Sequence, residues 1–374
     1  MNVLYIANSI ELYGANTSLL DMIESMRGEG FYPVVLAAGP GDLTKELFRR
    51  KIKYYIIPYY TNCDIAGRGL LGGFDKLFAN MMLLSRASEI IKKHRIDIIH
   101  TNASNIDFGA MLAIKEQLPH VWHIREMLYE HYKFRYDVPF LSHYLLHRAD
   151  KIIAISKYVK DGKHLEKNAA VLYNGFHVEK YNICKGKLFS EAVCNILYCG
   201  MISEGKGVMD VVKAVDCLIR NGYQNISLSI VGDGTAYWKK VKDFIEVNHL
   251  EPYIRYYGYQ ENLKPFREMA DIAVVSSRYE ALGRVTIESM LGEVLVIGAD
   301  SGATTELICD GVTGYLYEVG NSRQLADQII SVLENKNKSR EIVYQAKKYA
   351  LENFDSSQYA AQILKIYKQC LTGK

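Results

Sequence analysis

Residues 276–308 read SSRYEALGRVTIESMLGEVLVIGADSGATTELI, and this stretch decides the fold. It opens where an apolar run, Ile272 to Val275, ends, and it contains a second apolar run from Val294 to Ile297. Between the two lies a glycine turn at Gly283, followed by residues with helical spacing. Strand, glycine turn, helix and strand form the repeating unit of a parallel α/β sheet. A helix that starts at such a turn leaves backbone N–H groups without intrahelical acceptors and presents the positive end of its dipole. That end suits a phosphate. Two carboxylates, Glu280 and Glu288, flank the turn. Carboxylates repel phosphate, so they need another task, and hydrogen-bonding the hydroxyls of a sugar is the natural one.

The same alternation extends through the chain. Strand-like runs occur at VLYIAN (3–8), PVVLAAG (33–39), KYYIIPY (53–59), DIIHTN (97–102), HVWHIRE (120–126) and KIIAIS (151–156). Helical periods fall around 17–28, 43–50, 73–94, 105–117 and 138–148. A second series runs through NILYCG (195–200), SLSIVGDG (227–234), IRYYGY (254–259), DIAVVSS (271–277), VLVIGA (294–299) and GYLYEV (314–319). The runs are short and apolar on both faces, as buried parallel strands are. A polar stretch around 175–194 separates the two series. The expected architecture is two doubly wound Rossmann-like α/β domains, 1–175 and 194–355, with a last amphipathic helix at 356–371. A length of 374 residues agrees with two domains.

Apolar residues make up 49% of the chain and charged residues 23%, an ordinary globular composition. A net charge of +3 speaks against nucleic acid as a partner. The charge is uneven: residues 1–187 carry +6 and the remainder −3. Seven cysteines form no CxxC pair, and MNVLYIAN reads as a first strand rather than a signal peptide. Both features fit reduced thiols and a cytoplasmic location. No run is long and apolar enough to span a bilayer.

Several motifs carry chemistry. GMISEGKG (200–207) has the glycine and lysine spacing of a P-loop, but Gly207 stands where Ser or Thr would hold Mg²⁺. A lysine at a glycine-rich helix start can neutralise a diphosphate leaving group instead. VGDG (231–234) lacks the last glycine of a dinucleotide fingerprint, since Tyr237 takes its place, which argues against NAD. Gly14 sits in the loop YGANTS after the first strand, and His123 lies at a strand end in VWHIRE. His143 and His147 stand at i, i+4 without a third ligand and read as surface histidines. No D-x-D pair appears, so no carboxylate pair is expected to hold a metal-bound diphosphate, and no metal or cofactor is expected.

The Glu280–Glu288 spacing, the KG pair at Lys206–Gly207 and the two-domain alternation together resemble glycosyltransferase family 4, the glycosyl transferases group 1. The likeness covers essentially the whole chain. It implies a GT-B architecture, two Rossmann-like domains facing a central cleft, with helix 356–371 crossing back onto the first. It implies a retaining transfer from a nucleotide diphosphate-sugar, UDP-sugar first and GDP-sugar next, to a hydroxyl acceptor. On this resemblance Gly200, Lys206 and Gly207 serve the diphosphate. Members often carry an Arg just after the strand glycine, where this chain has Met201, and usually two glycines where it has Tyr13 and Gly14. Gly14 lets backbone approach the donor phosphate. His123 hydrogen-bonds the donor sugar or the transition state. Backbone at Gly258 and Tyr259 recognises the base. Glu280 contacts sugar hydroxyls, Leu282, Gly283 and Arg284 present backbone N–H groups, and Glu288 accepts from the ribose. Asn16, Arg125 and Glu126 fall on the acceptor side, and Ser156 with Asn174-Gly175 frames the first domain's edge.

The acceptor implied is a glycan or lipid-linked glycan of bacterial surface polysaccharide assembly. Stretches 68–95 and 127–148, in the basic half, mix basic, aromatic and aliphatic residues. They fit a peripheral contact with an anionic membrane at the inner face of the plasma membrane, and they fit helices packing on a sheet equally. A different class stays open as the alternative: a non-catalytic GT-B-fold subunit that binds a sugar nucleotide or stabilises a partner transferase. Met201 and the reduced glycine loop favour that alternative.

Overall fold

The computed structural model of the chain describes residues 1–28, 30–65, 69–165, 168–181, 183, 188–189 and 192–373. Arg68 of the first basic stretch, Cys184 and much of the polar stretch 175–194 lie outside the described residues. The chain forms two compact units, Met1–Phe176 with Ser356–Lys374, and His177–Asp355.

The first unit contains β1 (Asn2–Ile6), β2 (Tyr32–Ala37), β3 (Lys53–Ile56), β4 (Cys63–Asp64), β5 (Ile98–Thr101), β6 (His120–Ile124), β7 (Arg135–Tyr136), β8 (Lys151–Ala154) and β9 (Ala169–Val171). Seven of these form one sheet in the order β3-β2-β1-β5-β6-β8-β9, with every neighbour parallel. The strand order reverses between β1 and β5. In sheets of this kind ligands bind beyond the carboxyl ends of the strands at the reversal. β4 and β7 pair separately as an antiparallel ribbon. Two-residue strands have no readable period, which is why the sequence reading misses this ribbon.

One face of the sheet is covered by helix Gly14–Ser25, through Leu19, Leu20 and Ile23, and by helix Ser356–Thr372, through Tyr359, Ala360, Ile363 and Tyr367. These four residues lie on one stripe of the last helix, so its apolar face is what places the C-terminal segment in this unit. The other face is covered by helix Gly69–His94, which buries Leu84, Ala87, Ile90 and Ile91, and by helix Phe108–Glu116. The first helix starts at Gly14, earlier than its apolar spacing suggests, because Tyr13 O already accepts from Thr17 N at 3.0 Å.

The second unit contains β10 (Cys194–Cys199), β11 (Ile226–Val231), β12 (Ile254–Tyr256), β13 (Ile272–Val275), β14 (Leu295–Ala299) and β15 (Tyr315–Tyr317). They form a parallel sheet in the order β12-β11-β10-β13-β14-β15. This is the Rossmann order, with its reversal between β10 and β13. Helix Val208–Arg220 buries Val211, Val212, Val215 and Leu218 on one stripe, against Leu325, Ile329 and Val332 of helix Ser322–Glu334. Among the described residues no helix is long and apolar enough to cross a membrane.

Candidate active site

In the second unit the loops after β10 and β13 meet at the strand-order reversal. Gly207 is the pivot of the first loop. Its φ is +69°, and a Cβ there would lie 2.0 Å from Ser276 O. Only glycine combines that backbone region with so close an approach. Three further contacts lock the loops: Ser276 Oγ donates to Lys206 O at 2.9 Å, Arg278 N to Gly205 O at 2.9 Å, and Tyr198 Oη to Met201 O at 3.0 Å. The outcome is an ion pair between two residues far apart in sequence. Lys206 Nζ donates to Glu280 Oε2 at 2.9 Å.

Gly283, at φ +90°, caps helix Arg284–Leu291. A Cβ on Gly283 would lie 3.4 Å from Glu280 Cγ, so the glutamate side chain runs directly along this turn. Leu282 is buried beneath it. Helix Val208–Arg220 and helix Arg284–Leu291 therefore both begin at the Lys206–Glu280 pair, and each brings the positive end of its dipole. One turn along the second helix, Glu288 is buried. It accepts from Tyr181 Oη at 3.2 Å and from the Arg267 guanidinium, and it forms an ion pair with Arg284, whose Nη2 lies 3.3 Å from Glu288 Oε1. Arg267 and Tyr181 carry no motif and were missed by the sequence reading. They come from helix Lys264–Met269 and the turn Val178–Tyr181, and only tertiary contact brings them to Glu288.

Two more predicted positions flank the same sheet edge. Gly200 N donates to Val231 O at 2.9 Å, and Gly232 N donates to Gly258 O at 2.8 Å, which strings the ends of β10, β11 and β12 together. Tyr259, next to Gly258, is exposed.

In the first unit the predicted residues lie at or after the ends of β1, β6, β8 and β9. Gly14 is the exposed first residue of its helix. Asn16 is buried, and its Nδ2 donates to Ser9 O at 3.0 Å and Glu11 O at 2.7 Å. Its side chain therefore holds the loop after β1. Arg125 is buried and donates to Asn102 Oδ1 at 2.8 Å, Asn174 Oδ1 at 2.7 Å and His123 Nδ1 at 3.2 Å. Asn102 Nδ2 in turn donates to Ala15 O at 3.0 Å, and Asn174 Nδ2 to Ser18 Oγ at 3.0 Å, so Arg125 fastens the strand ends to the first helix.

The Arg125 contact assigns the His123 tautomer. A guanidinium only donates, so His123 Nδ1 accepts and the proton sits on Nε2. Burial holds the imidazole well below its ordinary pKa, helped by the nearby Arg125 charge and by His100. His123 is thus neutral, with a buried Nε2–H that has no acceptor among the described residues. Glu126, also buried, accepts from Ser104 N at 2.9 Å and Ser104 Oγ at 3.1 Å. Burial pushes its carboxyl upward against the opposing pull of these bonds and of Lys163. Ser156 caps helix Lys157–Gly162 by accepting from Val159 N at 3.1 Å. Gly175 lies against the last helix, where a Cβ would come within 2.6 Å of Tyr359 Cβ. His143 and His147 are exposed, with Nε2 atoms 3.0 Å apart, and belong to no group of three ligand residues among the described residues.

Two parallel-sheet Rossmann-like units, the second carrying a lysine, two glutamates and two helix starts at its strand-order reversal, define a doubly wound α/β protein. Residues 13–180 match the family model described as Glycosyltransferase Family 4, and residues 187–349 match that described as Glycosyl transferases group 1. The chain belongs to this glycosyltransferase family and is a transferase enzyme of GT-B type. It is 28% identical to an uncharacterised glycosyltransferase of Methanocaldococcus jannaschii, over 91% of this chain and 96% of that one. It is 30% identical to the lipopolysaccharide 1,2-N-acetylglucosaminetransferase of Salmonella typhimurium, over 54% of this chain and 59% of that one. Among solved structures, the Anabaena protein HepE in complex with UDP superposes with a TM-score of 0.80 at 22% identity, covering 99% of this chain and all of that one.

Proposed function

We propose that this enzyme transfers a sugar from a nucleotide diphosphate-sugar to a hydroxyl acceptor with retention of anomeric configuration and without a metal. The carrying observation is the Lys206–Glu280 pair at 2.9 Å, set where two helix N-termini converge. Lys206 and the first-turn N–H groups meet the diphosphate and stabilise it as it leaves. Glu280, against Gly283, accepts from hydroxyls of the donor sugar, and Glu288 accepts from the ribose. Backbone at Gly258 and Tyr259 reads the base edge. By the family resemblance, neutral His123 is assigned the hydrogen bond from its Nε2–H to an oxygen of the sugar or of the transition state. It is not a general base, because its Nδ1 lone pair is already engaged by Arg125. The departing phosphate oxygen takes the acceptor's proton, so the acceptor attacks on the face the diphosphate leaves.

UDP-sugars are the first donors to try, because the HepE complex holds UDP, and GDP-sugars come next. We place the acceptor among glycans or lipid-linked glycans of bacterial surface polysaccharide, in keeping with the name of the Salmonella relative, and the enzyme in the cytoplasm. Phe74, Phe78, Met81 and Met82 are exposed on helix Gly69–His94, whose last turn carries Lys92 and Lys93. That pairing supports a peripheral contact with an anionic membrane. The test is a thermal-shift screen with UDP, GDP, ADP and dTDP, with and without EDTA. One nucleoside diphosphate should raise the melting temperature equally in both conditions; a site saturated to about 100 times its dissociation constant gains about 2.7 kcal/mol. A shift abolished by EDTA refutes metal independence, and no shift with any nucleotide refutes the donor assignment. An inverted linkage by NMR refutes retention.

A further inference from the structure

We infer that the Arg284 side chain is a recognition group for the donor's diphosphate, a role separate from the backbone of its turn. The inference rests on the donor site proposed above. Three observations carry it. Lys206 donates its ammonium to Glu280 at 2.9 Å, so the charge it brings to a diphosphate is shared with a carboxylate and leaves room for a second cation. Arg284 is the first residue of helix Arg284–Leu291 and follows Gly283, against which Glu280 Cγ lies. Its backbone therefore sits at the turn along which Glu280 runs and at the positive end of the helix, while its guanidinium lies against Glu288.

The third observation is register. Arg284 and Glu288 stand at i, i+4 and touch at 3.3 Å, so they share one face of the helix. Four residues of helix advance roughly 6 Å. That spacing is comparable to the separation between a ribose diol and the pyrophosphate on its 5′ oxygen. A nucleotide whose ribose sits on Glu288 thus brings its phosphates to the turn where Arg284 is rooted. Arg267 and Tyr181 hold Glu288 independently, so Glu288 keeps its place when Arg284 turns to the phosphates. A guanidinium suits this task, since its fork matches two phosphate oxygens at once. Met201, in the loop beside Lys206, contributes no charge.

The test measures binding of UDP, GDP, ADP and dTDP and of the matching nucleosides to the full-length chain and to R284M and R284K, by calorimetry or ligand-detected NMR. For the nucleotide the wild type binds, R284M should weaken the diphosphate about tenfold or more, the cost of a lost hydrogen bond to a charged group. It should leave the nucleoside unchanged, and R284K should recover part of the loss. Equal weakening of nucleoside and diphosphate would mean that Arg284 only positions Glu288, and no weakening of either would mean that it does neither; both results overturn the inference. A wild type that binds none of the four diphosphates refutes the donor site itself, which separates that failure from this one.

Discussion

Glu280→Gln should pull nucleotide binding and sugar transfer in opposite directions. In the free enzyme Glu280 and Lys206 satisfy each other at 2.9 Å, yet the Lys206 side chain is 38% exposed. Water and salt screen such a pair to about 0.2–1 kcal/mol. Removing the glutamate charge leaves Lys206 facing the incoming diphosphate alone. UDP, which has no sugar to lose contact with, should therefore bind up to about fivefold tighter to the variant. In the proposed function, transfer requires the same carboxylate to hold the sugar. A hydrogen bond to a charged group contributes about 1.5–3 kcal/mol, so kcat/KM should fall roughly 10- to 100-fold. Calorimetric titration with UDP reads the first effect. Release of UDP from UDP-sugar, which needs no known acceptor, reads the second. A variant that binds UDP more weakly, or that turns over the donor at the wild-type rate, refutes the reasoning that one carboxylate serves Lys206 before binding and the sugar after it.

Other consequences follow from buried groups and backbone. Gly207→Ala should lower thermal stability by at least about 1–2 kcal/mol from the left-handed backbone alone, with more from the approach to Ser276 O, and a circular-dichroism melt within error of wild type would refute this. Asp107 is raised from 3.8 to about 6, chiefly by burial against the opposing bonds from Ser142 and Asn62. A carboxyl raised on folding contributes stability below its unfolded value and loses it as pH climbs through the folded one. Wild type should therefore lose of order 1–3 kcal/mol relative to Asp107→Asn between about pH 4 and pH 7, and denaturation curves with a pH-independent difference would refute that. Tyr367→Phe removes a buried hydroxyl bonded to Tyr5 Oη at 3.0 Å and His100 Nδ1 at 2.7 Å. It should cost about 1–3 kcal/mol of stability while leaving the affinity for UDP unchanged, and a change in that affinity would tie the last helix to nucleotide binding. Flotation with anionic liposomes should recover the protein at low salt and lose it at high salt; no binding at low salt removes the membrane contact.

What was legible in the sequence is what repeats along it. Parallel strands buried on both faces appear as short apolar runs, so β1, β5, β6, β10, β13 and β14 could be read directly, together with the glycines that end them. The Glu280–Gly283–Glu288 segment was legible for the same reason, since turn, helix start and carboxylates are neighbours in the chain. Strand order was not legible, because periodicity carries no information about which strands pair. It is the reversal between β10 and β13 that brings Lys206 to Glu280 across 74 residues. The partners of Glu288 arrive in the same way: Arg267 and Tyr181 are held there by packing, and neither spacing nor residue type marks them. The state of His123 was also beyond the sequence. A histidine at a strand end is only a candidate until burial strips its charge and the Arg125 fork fixes which nitrogen carries the proton. Local sequence determined the strands, the turns and the groups capable of chemistry. Tertiary structure decided their partners and charge states, because both depend on solvent exclusion and on contacts between segments remote in the chain.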